Sequence, residues 1–287
     1  MASILVTGSS RGIGRATALT LGRAGHTVHA TMRNPAAATS LAETIAEEGL
    51  AVHLSAMDVT IDSSVADGIS AIEAAHGPLD ALVNNAGIEY HGSIEELPLA
   101  DIRAIMETNY FGAIRCIQAV MPSMRARRRG CIVNVTSVAG RISSSPLGAY
   151  AASKFALEAA SEALAQEAAM FGVRVAILQP GIINTEMAQA ITTEHDTSPY
   201  PHARRFGGLF AASLQHPTSP MLVAETIREI VEGDTGRLRH PVGPDAEPFL
   251  AWRAAMTDEE WVAWGAAQDE EWYASVERDF GLNARRV

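Results

Sequence analysis

The 287-residue chain has little that would suit a membrane, a metal ion or a polyanion. No run of about 18 apolar residues occurs, which excludes an ordinary transmembrane helix. The opening MASILVTGSSRG lacks a basic start, a long apolar core and a small-residue cleavage site, so a cytoplasmic location is expected. Cysteine is scarce: Cys116 and Cys131 each lie beside an apolar run and are expected to be buried thiols, not a disulfide. The 9 histidines show no CxxC or HExxH spacing, so no metal site is expected. Basic residues are outnumbered, 22 Lys and Arg against 33 Asp and Glu, and a net charge of -11 opposes attraction to nucleic acid or anionic lipid. One absence is local: residues 1–42 contain no Asp or Glu, whereas residues 245–287 contain ten acids and four arginines.

What is present is a repeating alternation. Short apolar runs at Ile4–Val6, Val28–Ala30, Val52–Leu54, Ala81–Val83, Cys131–Val135 and Val173–Leu178 read as strands. Amphipathic stretches at Ile13–Ala24, Ala37–Glu47, Ser63–Ala75, Leu99–Met121 and Ala149–Phe171 read as the helices between them. Strands without polar alternation are covered on both faces, and strand-helix alternation implies parallel pairing. The expected fold class is therefore α/β, one Rossmann-type, doubly wound parallel sheet with helices on both faces. Residues 1–243 are expected to form the sheet domain. Within it, 187–220 reads as an irregular substrate lid, with Pro199, Pro201, Pro217 and Pro220 among Tyr200, Phe206, Leu209 and Phe210. Residues 244–287 read as a helical extension carrying Trp252, Trp261, Trp264 and Trp272, either a cap on the site, a subunit contact or simple packing.

The first strand ends in Thr7-Gly8-Ser9-Ser10-Arg11-Gly12-Ile13-Gly14. Glycine permits a tight strand-to-helix turn and lets a pyrophosphate approach the backbone, and the free N–H groups of the helix start favour the anion. The GK[ST] ending of an NTPase phosphate loop is missing.

Further motifs make the pattern specific. Thr7-Gly8 to Gly14 resembles the TGxxxGxG loop of the short-chain dehydrogenase/reductase family, and Asn84-Asn85-Ala86-Gly87 resembles its NNAG motif. Asn109, Ser137 and Tyr150-x-x-x-Lys154 resemble its catalytic tetrad, while Pro180-Gly181 with Ile183 and Thr185 resembles the segment under the nicotinamide. The resemblance covers roughly residues 3–185. HATMRNP and AYAASKFALEAASEAL are similar to the branch of 17β-hydroxysteroid dehydrogenases and related carbonyl reductases.

Hydride transfer to a carbonyl develops negative charge on oxygen, which needs polarisation and a proton. Tyr150 is the expected acid/base, and Lys154, four residues on and on the same helical face, is expected to lower its pKa. The resemblance gives Lys154 the ribose hydroxyls of the dinucleotide, Ser137 the substrate oxygen, and Asn109 a water that relays protons. Asn85 is expected to brace the sheet while backbone near Ala86 and Gly87 meets the cofactor. The second strand is followed by Arg33 where an NAD site presents an acid, so Arg33, helped by Arg11, is expected to read the 2′-phosphate of NADP(H) in preference to NAD(H). Solvated surface arginines are the alternative reading. The resemblance places Asp58 and Val59 at the adenine. The remaining expected cofactor contacts, Gly8, Ser10, Gly12, Ile13 and Gly14, belong to the glycine loop.

The expected activity is reduction of a hydrophobic ketone or aldehyde, with Ser137, Tyr150, Tyr200, Phe206 and Phe210 touching substrate. The aromatic residues of this set have a blander reading as the packing of a short helix. An NAD-dependent alcohol dehydrogenase and a non-catalytic dinucleotide-binding regulator are the alternatives. Family members commonly pair through the helices corresponding to Leu99–Met121 and Ala149–Phe171, so a homodimer or homotetramer is expected.

Overall fold

The computed structural model describes residues 1–192, 198–233 and 236–285. Among them seven strands form one parallel sheet in the order β3-β2-β1-β4-β5-β6-β7. The strands are β1 (Ser3–Thr7), β2 (Thr27–Met32), β3 (Val52–Ala56), β4 (Ala81–Asn84), β5 (Gly130–Val135), β6 (Val173–Pro180) and β7 (Arg239–Val242). The order reverses between β1 and β4, the position at which open α/β sheets leave a crevice.

Period-two side-chain geometry explains why unalternated apolar runs suit this sheet. Ile4 and Val6 of β1 enter one core with Val28, Ala81, Val83 and Val133, whereas Leu5, Leu82 and Ile132 enter the other. Helices α1 (Gly12–Arg23) and α9 (Pro220–Glu232) cover the first face through Ala18, Leu21, Val223, Ile227 and Ile230. Helices α3 (Asp62–His76), α5 (Gly112–Arg127) and α6 (Gly148–Ala169) cover the second through Ile69, Cys116, Val120, Met124 and Ala168. Both cysteines are buried thiols. Each fully buried Val, Leu or Ile contributes about 1.5–3 kcal/mol, so the two faces supply the main stabilisation. Helix α2 (Thr39–Glu48) adds a small cluster of Leu41 with Leu19 and Met32.

Several expectations from sequence need correction. The stretch read as one helix over Leu99–Met121 is α4 (Leu99–Met106), a π-helical turn at Glu107–Phe111, and α5, which passes through Pro122 to Arg127. The segment read as irregular contains α7 (Glu186–Ile191) and α8 (His202–Ser213), its portion at 193–197 lying outside the described residues. Strand β7 was not anticipated because Arg-His-Pro-Val carries one apolar β-former; its proline sits on an edge strand, where a missing donor is tolerated.

Beyond β7 the chain forms α10 (Ala246–Ala254), α11 (Asp258–Ala266) and α12 (Asp269–Phe280). A capping box between Thr257 and Glu260 starts α11. These helices pack back on the sheet domain. Asp245 accepts the Ile182 N–H at 2.7 Å, the Trp261 indole donates to Ser143 O at 3.2 Å, and the buried Arg205 of α8 pairs with Asp269 at 2.7 Å. No helix of the described residues is long and apolar enough to cross a membrane.

Candidate active site

A cleft of about 1030 Å³ opens at the carboxyl ends of the strands, where the order reverses. One region is the glycine loop. Gly8 and Gly12 take φ of +68° and +55°, conformations that side chains disfavour. A Cβ on Gly14 would lie 2.3 Å from Gly8 O and 2.4 Å from the Asn85 amide, so this glycine lets the helix start against the loop and does not itself face the cleft. Asn85 bolts the loop to the turn after β4, donating from Nδ2 to Thr7 O (2.9 Å) and Gly8 O (3.1 Å). Thr7 Oγ1 accepts the N–H groups of both Asn85 and Ala86 at 3.0 Å. Helix α1 begins without a side-chain cap and without an acid in its first turn, which leaves its amides available to an anion. These features fit the diphosphate of a dinucleotide.

Ser10, Arg11, Gly12, Ile13, Arg33, Asp58 and Val59 line the same region. Among the described residues Arg11 and Arg33 are exposed and make no ion pair. Asp58 is partly engaged, since its Oδ1 accepts from the Thr60 N–H (2.9 Å) and hydroxyl (2.7 Å).

Next along the cleft, α6 places Tyr150 and Lys154 one turn apart, as the four-residue spacing requires. Lys154 is buried, donates from Nζ to Val135 O at 2.9 Å and lies 5.6 Å from the centre of the Tyr150 ring. Burial lowers the ammonium to about 8. Tyr150 is raised above the ordinary phenol value: burial dominates, the neighbouring Ser137 hydroxyl pulls it back, and the charge of Glu89 raises it further. The expected lowering by Lys154 does not appear: the cost of removing the phenolate from water sets the direction, opposed by the Ser137 hydroxyl. Ser137 caps a short helical turn through Ala139 N–H (3.1 Å) and faces Pro180 O (3.4 Å). Pro180, Gly181, Ile183 and Thr185 line the wall beside it, and Thr185 also caps α7.

Asn109 sits in the π-helical turn, buried, with its side chain behind the cleft wall. Its Oδ1 accepts the Ile88 N–H (2.8 Å), and Nδ2 donates to Ile88 O (2.9 Å) and Ser153 Oγ (3.0 Å). The side chain is fully used as a clamp.

The remaining wall is apolar. Phe206 and Phe210, one helical turn apart in α8, face the cleft beside Leu209, with ring centroids 4.6 Å apart. Tyr200 does not line it; its hydroxyl binds Glu95 and its ring leans on His202, which corrects its expected substrate contact. The sequence reading missed Glu89, Tyr90, Ile142, Leu147 and Phe280, and left open the role of Trp252, Trp261 and Trp264, all of which line the cleft. Those indoles pack as an aromatic wall, with Trp252 5.6 Å from Trp261 and 5.0 Å from Trp264. The periodicity of the tail marks helices but gives no direction of docking.

A parallel sheet whose switch-point crevice joins a glycine cradle to a hydroxyl, a phenol and an ammonium defines a dinucleotide-dependent oxidoreductase of alcohols and ketones. Comparison with known proteins agrees. The chain belongs to the short-chain dehydrogenases, whose family model, "short chain dehydrogenase", matches residues 2–196. It is 34% identical to retinol dehydrogenase 8 of Bos taurus over 267 residues, 88% of this chain and 85% of that protein. A solved short-chain dehydrogenase from Streptomyces avermitilis superposes with a TM-score of 0.77 at 33% identity, covering 93% of this chain and 98% of the other. Gluconate 5-dehydrogenase from Burkholderia cenocepacia, solved with NADP and tartrate, superposes with a TM-score of 0.74 at 27% identity, covering 86% and 95%.

Proposed function

We propose that the protein is an NADP(H)-dependent reductase of a hydrophobic ketone or aldehyde, with Tyr150 as the proton donor. The observation that carries this reading is the convergence of Ser137, Tyr150 and Lys154 on a wall shared with Pro180, Gly181 and a set of aromatic side chains. Bound NADPH would supply the hydride. Gly8 to Ile13 would hold its diphosphate, Lys154 its ribose hydroxyls, and Gly87 with Pro180 to Thr185 would flank the nicotinamide.

Ser137 donates a hydrogen bond to the carbonyl oxygen, and Tyr150 gives that oxygen its proton as negative charge develops. A phenol held above its ordinary pKa by burial stays protonated throughout the physiological range, the state a reductive proton donor needs. An alkoxide is far more basic than phenolate, so the transfer remains downhill. Lys154, lowered to about 8, stays chiefly protonated at neutral pH and offsets the phenolate left behind. Asn109 fixes the Ile88 turn with its side chain, so the proton-relaying water proposed for this residue would rest on its main-chain carbonyl. A π-helical turn displaces carbonyls from the regular ladder and suits that role.

Preference for NADP(H) rests on Arg11 and Arg33, two exposed guanidiniums lining the adenosine region, and on a segment after β2 that carries no acid before Glu43. The NADP bound by the Burkholderia enzyme is in keeping with this. Phe206, Phe210 and the indole wall favour an apolar substrate, as the name of retinol dehydrogenase 8 implies for that relative. The test is loss of absorbance at 340 nm with NADPH or NADH across ketones graded in size and polarity, repeated with Tyr150→Phe. NADPH oxidation by apolar ketones, cut by at least a hundredfold in Y150F with dinucleotide Kd retained, is the expected result. Near-full turnover in Y150F would remove Tyr150 from the chemistry.

A further inference from the structure

Glu89 is an acid in a cleft wall that is otherwise chiefly apolar on the substrate side. Its side chain is only 6% exposed, and it lines the same cavity as Tyr150. Its backbone is held rigidly. The preceding residue, Ile88, is gripped at both its N–H and its carbonyl by Asn109, at 2.8 and 2.9 Å. Asn109 in turn donates to Ser153 Oγ, which donates to Tyr150 O at 2.7 Å. Three residues past Glu89 the loop is tied again, where Gly92 N–H donates to Pro146 O at 3.0 Å, just before α6. The main chain beside Glu89 is therefore tied by a continuous chain of hydrogen bonds to the helix carrying Tyr150.

The carboxylate also has a neighbouring support. His91 Nδ1 donates to it, lying 3.1 Å from Oε1 and 3.2 Å from Oε2. A carboxylate offers about four acceptor positions, and one ring N–H does not fill them. Burying a charge beside the reacting group is costly unless something binds it, and it works against anionic ligands.

We propose that Glu89 is a specificity-determining residue that accepts a hydrogen bond from a hydroxyl or ammonium group carried next to the reacting carbonyl of an otherwise apolar substrate. The substrate class is then an amphiphilic α-hydroxy or α-amino ketone whose apolar body lies along Phe206, Phe210 and the indole wall. Substrates with a carboxylate at that position are rejected by like charge. This rests on the reductase reading of the cleft and sharpens it.

Three aryl ketones of similar size separate the cases: 2-hydroxyacetophenone, which carries the donor, propiophenone, which lacks it, and benzoylformate, which carries an anion there. With saturating NADPH, the wild-type kcat/KM should favour 2-hydroxyacetophenone over propiophenone by about tenfold or more, the effect of a hydrogen bond to a charged group. Benzoylformate should be the poorest of the three. Glu89→Leu, which removes the acceptor, should bring the first ratio close to one, and Glu89→Gln, which keeps an acceptor oxygen but loses the charge, should lower it severalfold and raise benzoylformate relative to propiophenone, with the NADPH Kd within twofold of wild type as proof of folding. A wild type without the preference, or a Glu89→Leu variant that keeps it, overturns the proposal. So does a variant that loses all three substrates in equal proportion. If the wild type reduces none of them, the reductase reading fails instead. Calorimetric titration of 2-hydroxyacetophenone and propiophenone into NADP-saturated protein still reads the preference of Glu89, and equal affinities there overturn it.

Discussion

Gly14 is the position at which one added methyl group should be most damaging to the candidate cofactor site. Gly14→Ala would place a Cβ 2.3 Å from Gly8 O and 2.4 Å from Asn85 Nδ2, both of them anchored atoms of the loop lock. Relief requires pushing α1 off the loop or breaking the Asn85–Gly8 hydrogen bond. Overpacking costs about 1–3 kcal/mol and the lost hydrogen bond about 1 kcal/mol, giving about 2–4 kcal/mol in all. For a chain of this length the unfolding entropy is about 0.6 kcal/mol/K, so Tm should fall by about 3–7 K. Dinucleotide affinity should fall more steeply than stability, by on the order of a hundredfold, because the displaced atoms form the anion cradle. Gly265→Ala is the matched control: in α11 an added Cβ meets nothing within 4 Å, and the better helix former should hold or raise Tm. Differential scanning calorimetry and a fluorescence titration with NADPH measure both quantities. A Gly14→Ala protein with wild-type Tm and Kd would refute the argument that this loop is locked by contact.

Arg33→Asp should reverse part of the dinucleotide preference by replacing a donor fork with a repelling charge, moving the NADPH to NADH ratio of kcat/KM by about a hundredfold. An unchanged ratio would show that Arg33 does not read the phosphate. His29 gives a pH prediction. Burial, then the charges of His76 and His53, lower it from 6.5 to about 4, so the unfolded chain takes up a proton below pH 6.5 that the folded chain refuses. Stability from this group is complete above pH 6.5 and is lost as pH falls toward 4. The full displacement corresponds to about 3 kcal/mol, and roughly half survives because the exposed His53 and His76 keep water one ring away. His29→Gln should flatten the fall of the urea midpoint between pH 7 and 4.5; an unaltered slope would remove His29 as its cause.

The strands and the site motifs were legible because both obey short-range rules. Burial on two faces forces continuous apolar runs, and a phosphate cradle forces glycine where backbone must meet backbone, as at Gly8 and Gly14. What escaped depends on tertiary contact. Pro201 and Pro220 looked like interruptions between 187 and 220, yet one immediately precedes α8 and the other opens α9, places where the missing N–H costs nothing. Tyr200 and Phe206 looked equivalent as aromatic lid residues. Only the packing distinguishes Tyr200, turned to Glu95, from Phe206, packed with Leu147 and Ile191 beside Tyr150. Glu89 carries no periodic signal at all, and its importance emerges from the clamp on Ile88. The direction of the Tyr150 pKa was misjudged for the same reason, since spacing reveals the neighbouring lysine but not the depth of burial.

All four tryptophans fall between residues 252 and 272, in the helices that close the cleft, so the sheet itself is optically silent in the indole band. Indole emission overlaps the absorption of a reduced nicotinamide ring, and three of the four indoles border the cavity in which that ring would sit. Energy transfer from protein to dinucleotide then gives a label-free signal of occupancy. In unfolding experiments the same chromophores report the carboxyl-terminal helices alone, while far-ultraviolet circular dichroism reports the whole chain. Coincident transitions in the two signals would mark the tail and the sheet as one cooperative unit, and a tail that melts first would separate them.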